Sequence, residues 1–147
     1  MVIAKMKRIL LAEDNENDVE LTLNALKECR LSNEVEVVHD GAEALDYIYQ
    51  RGKYSGRADG LPCVVLLDLK MPRVDGHEVL RQIKADPAVQ HIPVVMLTSS
   101  REEKDVVRSY DLGVNAFVVK PVDFDQFIKA VHALGMFWAI VNEPPPA

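Results

Sequence analysis

Basic residues, cysteine, glycine and long apolar runs are all scarce in this sequence. Seventeen Lys and Arg stand against 23 Asp and Glu, for a net charge of −6. A surface short of positive charge does not bind nucleic acid or anionic lipid nonspecifically. The two cysteines, Cys29 and Cys63, lie far apart, and two thiols make neither a disulfide framework nor a Cys-based zinc site. They read as small buried hydrophobes. His39, His77, His91 and His132 share no ligand spacing and read as surface or internally satisfied groups. The seven glycines form neither Gly-x-Gly-x-x-Gly nor Gly-x-x-x-x-Gly-Lys, which removes the phosphate-cradling loops of nucleotide-binding folds. No run approaches the ~20 apolar residues of a spanning helix, and no signal-peptide pattern follows the basic start. These absences lead us to expect a soluble, cytoplasmic protein with no nucleic-acid and no membrane partner.

What is present is alternation. The 147 residues are 48% hydrophobic, enough for one domain with a conventional core. Short apolar runs end in polar residues and are followed by helical patterns. Arg8-Ile9-Leu10-Leu11-Ala12 ends in Glu13-Asp14, and Asn15 caps a helix whose Val19, Leu23 and Leu26 form one stripe. Glu34 to His39 alternates as a strand, and Ala42, Leu45 and Ile48 begin a second helix. Gln50 to Leu61, with Gly52, Gly56 and Gly60, reads as a long surface loop. Cys63 to Leu67 is apolar throughout, as in a strand buried on both faces, and ends in Asp68. Asp75 caps a third helix carrying Val79, Leu80 and Ile83; Ile92 to Leu97 ends in Thr98; Glu102 to Asp111 is a fourth helix; Ala116 to Val119 ends in Lys120-Pro121. A long last helix carries apolar residues from Phe124 to Val141, of which Phe124 to Leu134 should pack on the sheet and Met136 to Val141 runs beyond the domain, and gives way to Pro144-Pro145-Pro146. Five strand-like runs alternating with helices predict an α/β fold: a doubly wound five-stranded parallel sheet with an extended C-terminal helix. The expected divisions are an extension at 1–7, a domain at 8–134, and a helix extension with proline tail at 135–147.

In such sheets ligands bind at the carboxyl ends of the strands. Glu13, Asp14, Asp68, Thr98 and Lys120 all fall there. Each alone reads as a cap or a solvated loop charge. Together they crowd three carboxylates on one rim, which costs stability unless cations compensate. Lys120 supplies one charge, and a hard divalent cation with oxygen-only ligands, Mg²⁺, supplies two.

Glu13-Asp14-Asn15, then Leu66-Leu67-Asp68-Leu69-Lys70-Met71-Pro72 with Asp75-Gly76, then Leu97-Thr98-Ser99-Ser100, then Phe117-Val118-Val119-Lys120-Pro121 together resemble the receiver domain of two-component response regulators. The resemblance runs from about Arg8 to Leu134 and implies the strand order 2-1-3-4-5. It implies that Asp68 is the phosphoacceptor for a histidine kinase. It also implies that Asp14, Asp68 and the backbone carbonyl of Lys70 bind Mg²⁺, with Glu13 holding a metal-bound water where many receivers carry Asp. Thr98 and Lys120 would contact the phosphoryl group, the Lys120-Pro121 bond would be cis, and Phe117 would be a switch aromatic working with Thr98. The chain would signal as a stand-alone module by protein contact, catalysing only its own phosphorylation and dephosphorylation. Two rival classes fall away. A phosphatase with an Asp nucleophile needs a carboxylate two residues on, where Lys70 stands. A DNA-binding output is not expected either, given the negative charge and the short stretch after Leu134.

The Arg51 to Gly60 loop, the Asn15 to Leu23 and Ser109 to Asn115 stretches, and the long last helix with its Phe137-Trp138 pair resemble the response regulators partnered with bacterial phytochromes. That subgroup implies a phytochrome-type kinase and a homodimer through helix 4, strand 5 and helix 5, using Tyr110, Phe117, Phe127, Phe137 and Trp138. A chemotaxis-type receiver, or a relay intermediate passing phosphate to a phosphotransfer histidine, is the alternative.

Overall fold

The computed structural model describes residues 8–28, 33–57, 60–99, 111–120 and 122–133, without the side chains of 124 and 131–133. It contains β1 (Ile9–Ala12), α1 (Glu16–Glu28), β2 (Val35–Val38), α2 (Gly41–Tyr49), a short 3-10 turn (Gly52–Tyr54), β3 (Val64–Asp68), α3 (Gly76–Ala85), β4 (Val94–Thr98), β5 (Ala116–Val119) and a last helix at Phe124–Ala133. The strands form one parallel sheet, as the alternation predicts, in the order β2-β1-β3-β4-β5 that the resemblance implies. Most of the expected fourth helix lies outside the described residues, as do Cys29, Tyr110, Pro121, Phe137 and Trp138.

Side chains alternate across the sheet and build two cores. One packs Leu10, Ala12, Val65, Leu67, Val94 and Met96 against α2 and α3. The other packs Ile9, Leu11, Leu66, Val95, Leu97 and Val118 against α1 and the last helix. The central strands β1, β3 and β4 are buried along their whole length, which is why they read as unbroken apolar runs. Helix starts follow their caps: Asn15, Asp40 and Asp75 each accept a backbone N–H from three residues on.

One expectation gains detail and another changes. The described residues of the segment after α2 are exposed or half-buried, as expected of a surface loop, but the segment is anchored. Its Arg57 guanidinium lies 3.9 Å from the Tyr47 ring centre and donates to the carbonyls of Tyr47 and Gly60. The Tyr54 ring meets Tyr47 edge-on at 5.1 Å, and its hydroxyl donates to Glu43. Aromatic and cationic side chains that composition marked as loop thus fold this segment back on α2. Phe127 packs in the core beneath the sheet, as expected of the Phe124 to Leu134 stripe, but at 1% exposure it does not reach the dimer interface also expected of it. A ring buried within its own chain cannot contact another copy, so it is a packing residue. Cys63 is half-buried beside the same core, and His77 is buried.

Candidate functional site

The strand order reverses between β1 and β3, and in such sheets the binding crevice lies at the carboxyl ends of the strands at that point. Alternation then selects the side. Leu11, Leu66 and Val118 face α1 and the last helix. The side chains two residues beyond them, Glu13, Asp68 and Lys120, fall on that same side. Glu13 is fully buried and Asp68 nearly so. The strand ends are fixed by their neighbours: Glu13 N–H donates to Val38 O, Leu69 N–H to Leu97 O, and Lys120 N–H to Thr98 O at 2.7 Å.

Carboxylate oxygens of Glu13, Asp14 and Asp68 lie within 4.8 Å of one another. The Lys120 ammonium sits inside the cluster, 2.6 Å from Glu13 Oε2, 3.2 Å from Asp68 Oδ1 and 3.0 Å from Asp18 Oδ2. Burial, and next the Glu13 charge, push the Asp68 carboxyl up to about 7 despite Lys120. Burial works against the Lys120 charge, but Glu13, Asp68 and Asp18 outweigh it and hold its pKa above the usual value. The donor set is oxygen-only and over-supplied with negative charge. Those are the conditions a hard divalent cation meets, so the residues fit such an ion.

Asp14 is exposed and lines an open pocket of about 560 Å³ together with Leu69, Lys70, Met71, Pro72, Asp75 and His77. The β3–α3 loop returns over the site: Gly76 N–H donates to Leu69 O, and a Cβ on Gly76 would lie 2.2 Å from Asp68 O. Only glycine allows that approach. Thr98 is buried. Met96 and Thr98 pair with Phe117 and Val119, so Thr98 and half-buried Phe117 share one face of the sheet.

The structure therefore brings Glu13, Asp14, Asp68 and Lys120 together, with Thr98 at the adjoining strand end and Lys70 on the pocket rim. Sequence reasoning missed Asp18. Its place in the first turn of α1 has a sufficient ordinary explanation, the favourable interaction of an acid with a helix N-terminus. The available signal was its spacing of one turn from Asp14.

Residues 9–132 match the family described as response regulator receiver domain. Response regulator Rcp1 of Synechocystis is 39% identical over 132 residues, covering 90% of this chain and 88% of Rcp1. A structure of Rcp1 in its Mn(2+)-bound form is also similar (38% identical, TM-score 0.76, covering 96% of this chain and 99% of that one). The bacteriophytochrome response regulator AtBRR is 62% identical with a TM-score of 0.86, covering 95% of this chain and 99% of AtBRR. The phosphorylated cyanobacterial phytochrome response regulator RcpA is 39% identical with a TM-score of 0.77, covering 97% and 99%.

Proposed function

Because the chain belongs to the response regulator receiver family and is closely related to phytochrome response regulators, we propose that it takes a phosphoryl group from a phosphohistidine of a phytochrome-type histidine kinase onto Asp68. Receiver domains bind a divalent metal, and here we assign Mg²⁺ to Asp14, Asp68 and the Lys70 carbonyl, with Glu13 holding a metal-bound water. The observation that carries the reading is Lys120 seated between Glu13 and Asp68: a buried nucleophilic carboxylate beside a cation.

Asp68 attacks phosphorus in line. Its Oδ–P bond forms as the P–N bond breaks, and the electron pair stays on the departing imidazole. Little covalent help is needed, because such transition states spread charge over three equatorial oxygens. When bound, Mg²⁺ supplies charge neutralisation at those oxygens. Lys120 shifts one hydrogen bond from the Asp68 carboxylate to a phosphoryl oxygen, and Thr98 donates its hydroxyl to another. Movement of Thr98 is passed to Phe117 along their shared face, and so to the surface formed by the expected fourth helix, β5 and the last helix. β5 is an edge strand, and through this surface, together with Tyr110, Phe137 and Trp138, two copies pair. Output is by protein contact in the cytoplasm, not by binding nucleic acid.

The test is phosphorylation by acetyl phosphate or a phosphorylated kinase with Mg²⁺ present. Wild type should take up label and Asp68→Asn should take up none. Label on Asp68→Asn would overturn the assignment.

A further inference from the structure

We propose that Asp18 is a positioning residue for Lys120, holding the ammonium in place once its other carboxylates are engaged in phosphoryl transfer. The inference rests on the reading of Asp68 as phosphoacceptor and adds a residue to it.

An ammonium has three protons to donate, and Lys120 meets three carboxylates: Glu13, Asp18 and Asp68. These partners are not equivalent. Glu13 and Asp68 belong to the cluster whose oxygens converge within 4.8 Å, and Asp18 does not. A cation bound there takes electron density from Glu13 and Asp68 and weakens their hold on Lys120. Asp18 is the one partner left unchanged.

Asp18 is itself fixed by a closed ring of contacts. Asn15 N–H donates to Glu13 Oε1 at 3.2 Å, Asp18 N–H donates to Asn15 Oδ1 at 3.0 Å, Lys120 bridges to Asp18 Oδ2, and Lys120 returns to Glu13 Oε2. The N-cap of α1 therefore sets the backbone of Asp18 against the end of β5, across 102 residues of sequence. A lysine stem is long and flexible and loses much rotamer freedom when ordered. A fixed acceptor outside the metal cluster removes that freedom before the phosphoryl group arrives. Asp18 touches no reacting atom and acts only through Lys120.

The experiment measures the rate of Asp68 phosphorylation by acetyl phosphate at saturating Mg²⁺, with Mg²⁺ affinity measured separately. Asp18→Asn should lower the saturated rate about tenfold, in line with the cost of a misplaced group. Asp18→Glu should restore at least half of the loss, because it keeps the charge within reach of a flexible ammonium. In a Lys120→Met background, which removes the ammonium, Asp18→Asn should add less than about twofold to the residual rate, because partners acting as a unit are non-additive. An Asp18→Asn protein as fast as wild type, or a loss of the same size in the Lys120→Met background, would overturn the proposal. The Lys120 ammonium resonance in the Mg²⁺-loaded protein gives a second readout. It should be sharp in wild type and broadened in Asp18→Asn, and unchanged width would count against the tether. Label appearing on Asp68→Asn would instead bring down the underlying phosphoacceptor reading.

Discussion

The raised pKa of Asp68 couples metal binding to pH in a way that can be measured. Burial and the Glu13 charge lift this carboxyl from an ordinary 3.8 to about 7. A metal ligand must be deprotonated. With a pKa near 7, Asp68 is about one-tenth ionised at pH 6 and about nine-tenths at pH 8. Mg²⁺ affinity should therefore fall about tenfold between pH 8 and pH 6, about 1.4 kcal/mol, and flatten above pH 8. Each Mg²⁺ bound at pH 6 should release close to one proton. Titration calorimetry in two buffers of different ionisation enthalpy reads both quantities. Asp68→Asn should bind more weakly and without pH dependence over this range. An affinity that is flat between pH 6 and 8 in the wild type, or binding at pH 6 without proton release, would refute the reasoning.

The same shift fixes the sign of the metal-free stability curve. The folded pKa lies above the unfolded one, so between about pH 4 and pH 7 the folded chain binds more protons through Asp68 than the unfolded chain does. Its contribution is full at the acid end and is lost as pH rises through 7. Asp68→Asn should accordingly stabilise the metal-free protein at pH 8 by a few kcal/mol, with little gain at pH 5. Saturating Mg²⁺ should restore wild-type stability at pH 8, read as the melting temperature.

Three further predictions test the architecture. Gly76→Ala places a Cβ 2.2 Å from the Asp68 carbonyl oxygen. It should lower stability by about 1–3 kcal/mol and reduce phosphorylation at saturating Mg²⁺ as the loop is pushed off the site; a wild-type rate would show that the loop does not set the site's geometry. Phe127→Ala, in the core, should cost about 3–5 kcal/mol in denaturant unfolding. Phe117→Ala, on the half-buried face of an edge strand, should instead weaken self-association in sedimentation at high concentration. A wild type that stays monomeric there would defeat the dimer.

The parts of the fold that could be read from sequence are those where one force dominates. Leu10, Leu66 and Val95 lie in strands buried on both faces, so apolar runs mark them without ambiguity. Asn15 and Asp75 are caps, and local hydrogen bonding decides those positions almost alone. The segment from Arg51 to Gly60 was legible as a surface loop, but its anchoring comes from contacts with α2, Arg57 on Tyr47 and Tyr54 on Glu43, which no local pattern announces. For Phe127 the helical stripe already pointed to the sheet, and only its full burial there removes it from the candidate interface.

The site divides along the same line. Glu13, Asp68 and Lys120 were legible because a charge at the end of an apolar strand is costly and needs a reason, and parity then puts all three on one side. Asp18 carries the same charge but costs nothing where it stands, since a helix N-terminus welcomes an acid. Its second role appears only when β5 delivers an ammonium to within 3.0 Å of it. A residue whose local placement is already favourable is thus the hardest to recognise as functional. At the start of α1, the capping interactions that stabilise the helix are also what aim Asp18 at Lys120.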